Sequence, residues 1–150
     1  MLDNHINLSV KRLSPKAVIP QYATPGSAGM DLHACIDQPL TIAPGQRVKV
    51  PTGLAIALPT PGHAAFLFPR SGLGVKSGIT LPNCVGVVDS DYRGEVIVGL
   101  VNLSDEPYTV QPGDRVAQMV ILPVTHANIH VVDELDDTQR GAGGFGSTGK

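Results

Sequence analysis

The sequence predicts an all-β fold: a distorted jelly-roll-like antiparallel β-barrel or sandwich with one short helical turn and a flexible C-terminal arm. Three observations carry this. Seventeen Gly and 13 Pro recur along the whole 150-residue chain and leave few gaps that would hold a helix of ordinary length. The pieces between them alternate apolar and polar residues with the period of two that a strand requires. Turn signals such as Ala43-Pro44-Gly45-Gln46 and Gln111-Pro112-Gly113-Asp114 separate those pieces.

The elements follow in order. From Met30 to Ile36, the side chains of Met30, Leu32, Ala34 and Ile36 share one face. From Arg47 to Leu58, Val48, Val50, Leu54, Ile56 and Leu58 fall on even positions, with Pro51 and Gly53 marking a bend. His63 to Phe68 is strand-like, and after it Leu73, Val75 and Lys76 allow one helical turn starting near Ser71. The N-terminus of that turn would present free N–H groups to an anion. Val96 to Leu103 and Arg115 to Leu122 are apolar nearly throughout, as strands covered on both faces would be. No internal repeat is visible, and no linker before about Asp133. There an acidic run, Asp133-Glu134-Leu135-Asp136-Asp137, hands over to a glycine-rich tail. The expected division is a β-barrel domain of residues 1–132 and a mobile arm of residues 133–150.

At 150 residues the chain is one domain with room for a real core. A formal charge of −2 and a pI near 6.2 give no sign of a nucleic-acid-binding surface. Cys35 and Cys84 make no disulfide framework and no zinc spacing, and both read as small buried hydrophobes in a reducing compartment. The first residues lack the basic flank and apolar run of a signal peptide, and no stretch approaches the length of a membrane span. The expectation is a soluble cytoplasmic protein without a membrane partner.

Arg140 to Lys150, RGAGGFGSTGK, is the most specific stretch. Five of its eleven residues are Gly, and Phe145 is its only bulky apolar side chain. Such a segment buries too little apolar surface to offset the entropy of ordering itself. Its chemistry nonetheless suits a nucleotide. Backbone N–H groups, Arg140, Ser147, Thr148 and Lys150 suit phosphate oxygens, and one ring can stack on a base. With no basic surface elsewhere, a small-molecule nucleotide fits better than a polymer. Gly144 to Lys150 also spells G-x-x-x-x-G-K, but an ATPase loop needs a preceding strand, a Ser or Thr after the Lys and a following helix. An ATPase fold is therefore not expected.

Two further segments carry chemistry. Pro69-Arg70-Ser71-Gly72-Leu73-Gly74-Val75-Lys76-Ser77-Gly78 is cationic, glycine-rich and hydroxyl-bearing, and is either a phosphate-binding turn or a plain connector. Gly86-Val87-Val88-Asp89-Ser90-Asp91-Tyr92-Arg93-Gly94 puts two carboxylates and a Tyr in a turn between apolar strands. Carboxylates beside a polyphosphate hold Mg2+ or its waters, or orient and deprotonate an attacking water. With an ordinary pKa near 4, an Asp needs no upward shift for that task. Asp31, at the head of a strand, is a further candidate. The five His show no pairing that suggests nucleophilic catalysis.

Together these segments resemble the trimeric all-β dUTP diphosphatases (dUTPases) from about Tyr22 onward. Five motifs stand in that family's order: ATPGSAGMDL (Ala23 to Leu32), PRSGLGVKSG (Pro69 to Gly78), NCVGVVDSDYRG (Asn83 to Gly94), PGDRVAQMV (Pro112 to Val120) and RGAGGFGSTG (Arg140 to Gly149). The resemblance implies hydrolysis of dUTP to dUMP and pyrophosphate, with Asp89 holding and activating the water that attacks the α-phosphorus in line. Tyr92 would pack on the deoxyribose and leave no room for a 2′-hydroxyl. Asn83 and the backbone of a hairpin running to about Ile97, with Val87 and Val88, would pair with the uracil edge. A buried hydrogen-bonding site discriminates strongly because a wrong base leaves polar groups unpaired.

Arg70, Ser71, Gly72 and Gln118 resemble the phosphate-binding groups. Asp31 resembles the residue that reaches Mg2+ through water, the cofactor ion being held mainly by the substrate phosphates. Phe145 would stack on uracil while Arg140, Gly146, Ser147 and Thr148 close on the β- and γ-phosphates. The implied assembly is a homotrimer with shared sites, and eleven extended residues reach roughly 35–40 Å, enough to cross to a neighbour. Two alternatives stand beside this reading. One is a dCTP deaminase-like enzyme on the same fold, which needs a glutamate where Gly99 stands, with only Glu95 nearby. The other is a non-catalytic trimeric β-barrel binding protein.

Overall fold

The computed structural model describes residues 5–144. Its strands are β1 Ser9–Arg12, β2 Met30–His33, β3 Leu40–Ile42, β4 Arg47–Ala57 and β5 His63–Phe68. After the helix α1, Ser71–Ser77, come β6 Ile79–Thr80, β7 Gly86–Val88, β8 Glu95–Asn102, β9 Tyr108–Val110 and β10 Arg115–Pro123. All pairings are antiparallel, in two four-stranded sheets, β1-β4-β8-β6 and β2-β10-β5-β7, with a β3-β9 ribbon.

The predicted alternation explains the core. Met30, Leu32 and Ala34 are buried from the second sheet, and Val50, Leu54 and Ile56 from the first. One apolar cluster joins the inner faces of both sheets with Ile42 and Val110 of the ribbon. The architecture is thus the jelly-roll-like sandwich, and among the described residues neither sheet closes into a barrel. Asn102, fully buried on β8, locks the ribbon in place. Its Nδ2 donates to the carbonyls of Ile42 (2.9 Å) and Glu106 (2.7 Å), and its Oδ1 accepts from Ser104 N and Oγ. A buried amide with all its partners costs nothing in unmade bonds.

The bend predicted at Pro51 and Gly53 is a bulge in the β4–β8 ladder, where the register runs from Pro51↔Ile97 to Ala55↔Glu95. Three residues of β4 therefore face one of β8. Gly53 sits at φ +68°, and a Cβ there would lie 2.8 Å from Cys35 Sγ and 2.9 Å from Ala17 Cβ. Only glycine meets both demands.

Two expectations need correction. β8 and β10 are not covered on both faces within one chain. Val96, Val98 and Leu100 are buried, but Ile97 between them is 43% exposed, and Leu122 at the end of β10 is 37% exposed. Cys84 is exposed rather than buried: it takes φ +62° in the turn where its N–H meets Leu81 O and Val85 N–H meets Asn83 O, and this turn directs the thiol outward. Beyond Pro123 the described chain has no further helix or strand. No helix among the described residues is long and apolar enough to cross a membrane.

Candidate active site

A cationic cluster forms at one end of the second sheet. Asp31 on β2 and Gln118 on β10 are directly paired, and Gln118 pairs in turn with Phe68 at the end of β5. Gln118 Nε2 donates to the carbonyl of Pro69 (3.1 Å), which fixes the chain just before Arg70. Arg70 Nε then meets Asp31 Oδ1 at 2.9 Å, and Arg115 Nη1 meets Asp31 Oδ2 at 3.2 Å. One carboxylate between two guanidiniums leaves the trio net positive, suited to phosphate.

The helix α1 starts at this spot. Arg70 is its N-cap residue, with extended backbone and no side-chain cap, so the first-turn N–H groups, including those of Ser71 and Gly72, have no intrahelical acceptor. Nothing lies within 4 Å of where a Gly72 Cβ would stand, so that surface is open to an approaching group. Tyr108 lies close enough to sense this charge. Burial pushes its phenol above the usual value, Asp114 adds to the rise, and Arg70 opposes it.

The second constellation is a notch between β7 and β8. The expected hairpin over residues 83–97 is not a paired one, because its two arms join different sheets: β7 pairs with β5, and β8 with β4. They diverge because each carries its own inward apolar face to a different sheet. The space left is a cleft of about 210 Å³ lined by Val87, Val88, Asp89, Tyr92, Glu95, Val96 and Ile97. β7 is the last strand of its sheet, and β6 reaches only Val101 and Asn102 of β8. The facing edges of the notch therefore carry peptide groups that no ladder uses, ready to pair with a planar edge.

Within the notch, the Val87 and Ile97 side chains are exposed, whereas Val88 is buried and offers a ligand only its main chain. The Asp89 side chain is exposed at the mouth, and its carbonyl accepts the Tyr92 N–H at 3.1 Å. The Tyr92 hydroxyl donates to Glu95 O at 3.0 Å, and its ring lies over Gly94, where a Cβ would stand 2.3 Å from the hydroxyl oxygen. Asn83 is exposed in the turn before β7 and is not part of the notch lining.

One chain does not bring the two constellations together. The register sets Val88 opposite Ala65, so Asp89 falls level with Ala64, six residues from Arg70. At about 3.3 Å per residue the separation along the strand is roughly 20 Å, longer than a triphosphate needs. A larger open cleft of about 620 Å³ does lie beside the cationic cluster, with Asp31, His33 and Arg115 on its wall.

Arg140 is exposed, and its Nε donates to Gly143 O at 2.9 Å in a turn that also links Gly141 N to Thr138 O. Phe145, Gly146, Ser147 and Thr148 lie outside the described residues. No group of three His, Cys, Asp or Glu side chains among the described residues forms a metal cage. Both oxygens of Asp31 already take guanidinium donors, so its remaining lone pairs suit the water of an ion carried in by a ligand rather than the ion itself. At the position where a deaminase would carry glutamate stands Gly99, where a Cβ would lie 3.6 Å from Pro82 Cγ, and the Glu95 carboxylate accepts the Gly53 N–H at 2.7 Å. Sequence reading gave no role to Arg115, Glu95 or Gly94. The signals at hand were the places of Arg115 in the PGDRVAQMV motif and of Gly94 at the end of NCVGVVDSDYRG.

A sandwich with a guanidinium cluster at one end of a sheet, and a base-sized notch with a carboxylate at the other, defines an all-β nucleotide-handling protein. The dUTPase family model matches residues 15–149, and the chain belongs to that family. It is 60% identical over 139 residues to the deoxyuridine 5'-triphosphate nucleotidohydrolase of Desulfitobacterium hafniense, covering 93% of this chain and 91% of that one. Staphylococcus bacteriophage 80alpha dUTPase with dUpNHpp shares the fold at a TM-score of 0.86 and 25% identity, covering 96% of this chain and 99% of that one. A mutant dUTPase from phage phi11 of S. aureus, described with a structural Mg(II) ion, matches at a TM-score of 0.78 and 22% identity, covering 87% and 99%.

Proposed function

We propose that the chain hydrolyses dUTP, as its Mg2+ complex, to dUMP and pyrophosphate, at sites shared between copies of a homotrimer in the cytoplasm. The observation that carries this is the notch, whose unused peptide edges face each other with the Asp89 carboxylate at the mouth. Main-chain groups of β7 and β8, with Asn83, read the donor and acceptor edge of uracil. Val87 and Ile97 flank the ring, and Tyr92 lies against the deoxyribose. Asp89 takes a proton from water as its oxygen attacks the α-phosphorus in line and pyrophosphate leaves.

Arg70, Gln118 and the first-turn N–H groups of Ser71 and Gly72 take the phosphate charge, from another copy of the chain. The separation of roughly 20 Å along the strand within one chain calls for this, and the exposed apolar side chains Leu122, Ile129 and Val131 give copies a surface to bury. The tail closes the site: Phe145 on uracil, and Arg140, Gly146, Ser147 and Thr148 on the outer phosphates. Mg2+ would be held mainly by the triphosphate, with Asp31 placed to accept from one of its waters, and would neutralise phosphate charge. Removal of dUTP limits uracil in DNA, and the dUMP formed feeds dTMP synthesis.

The test is incubation with dUTP, dCTP and dTTP plus Mg2+, following pyrophosphate and ammonia. Pyrophosphate from dUTP alone, without ammonia, is expected. Ammonia from dCTP would support a deaminase, and silence with every nucleotide a binding protein. Asp89→Asn should bind dUTP while kcat falls by orders of magnitude; near-normal turnover would remove Asp89 from the role.

A further inference from the structure

We infer that Glu95, through the bulge of β4, is a positioning residue for Tyr92 and so sets the preference of the site for a deoxyribose over a ribose. The inference rests on the proposed dUTP site and adds to it the group that aims its sugar contact. Around the bulge the ordinary β4–β8 ladder is interrupted between Pro51↔Ile97 and Ala55↔Glu95. Two side chains bridge the gap. Thr52 Oγ1 donates to Val96 O at 2.6 Å in the buried interior, and Glu95 Oε1 accepts the Gly53 N–H at 2.7 Å.

Gly53 is itself closely held, at positive φ with Cys35 and Ala17 against the place of a Cβ and its carbonyl accepting from Leu13 N at 2.7 Å. The Glu95 carboxylate is thereby tied to a rigid point in the sheet. Its own carbonyl is the acceptor for the Tyr92 hydroxyl. The line of contacts runs from Gly53 to the Glu95 side chain, to the Glu95 carbonyl, to Tyr92, whose ring packs over Gly94 with no room to spare. A ring aimed by its own hydroxyl can exclude a 2′-hydroxyl sterically only while the carbonyl that holds it stays in place. A carboxylate accepting a peptide N–H is among the stronger such anchors.

The experiment compares dUTP and UTP as substrates for wild type, Glu95→Gln and Glu95→Ala, with Mg2+ present. Gln keeps an oxygen acceptor and should retain the wild-type preference. Ala loses it, and the ratio of kcat/KM for dUTP over UTP should fall about tenfold, with KM for dUTP rising and kcat changing little. Equal losses on both substrates, or Gln behaving like Ala, would overturn the inference. If Glu95→Ala does not fold, Tyr92→Phe carries the test, because it removes only the hydroxyl that Glu95 O accepts. A full preference in that variant would equally overturn it. Wild type that leaves dUTP intact would instead sink the proposed activity, a failure distinct from either of these.

Discussion

Replacing Asp31 with Asn tests whether this carboxylate aims the guanidiniums of the phosphate cluster. Asp31 and Arg70 side chains are 23% and 27% exposed and meet at 2.9 Å, while Arg115, 53% exposed, meets the other oxygen at 3.2 Å. A hydrogen bond to a charged group contributes about 1.5–3 kcal/mol, whereas an exposed pair contributes about 1 kcal/mol or less. The Arg70 contact therefore dominates. Asparagine keeps one oxygen but points N–H groups at a guanidinium that can only donate, and the Coulomb attraction goes with the charge. The expected loss is about 2 kcal/mol of unfolding free energy at fixed chain concentration. Arg70, no longer aimed, should raise KM for dUTP about tenfold.

Urea unfolding and steady-state kinetics over a range of Mg2+ concentrations read both numbers. An unchanged midpoint with an unchanged KM would refute the reasoning. Full recovery of KM with excess Mg2+ would mean that Asp31 acts through the ion, not through the arginines.

Gly78→Ala should cost about 3 kcal/mol, because φ is +64° and a Cβ would stand 2.8 Å from Ser104 N; chemical denaturation checks it. Removing residues 140–150 should leave the oligomer intact by light scattering while most activity is lost; a monomeric product would make the arm structural. The neutral form of Tyr108 is favoured by folding, so its contribution is complete below the ordinary value of 10.0 and fades as pH rises through the raised one. Tyr108→Phe should therefore lose less stability between neutral and strongly alkaline pH than wild type does.

Periodicity made the framework legible. Met30, Leu32 and Ala34, the bend at Gly53 and the helical turn at Ser71 all stand where the sequence puts them, because each is decided by neighbours in the chain. What escaped depends on distant partners. Arg115 meets Asp31 across 84 residues and Glu95 meets Gly53 across 42, and no local pattern announces either. Residues 83–97 read as a hairpin because a turn rich in Asp and Gly between apolar runs has that signature; only the two sheets reveal that its arms part. Ile97 and Leu122 read as buried because a continuous apolar run does not reveal which of its side chains the core covers, and both are exposed in the single chain.

In the proposed site, Asp89 of one copy works with Arg70 of another. Co-refolding equal amounts of Asp89→Asn and Arg70→Ala chains, each inactive alone, tests it most directly. If the two residues come from different copies, random assembly makes about a quarter of the sites wholly wild type and restores about that share of dUTP hydrolysis. Activity no higher than that of the separate variants would mean that both residues serve from the same chain, against the roughly 20 Å that the strand register implies between them.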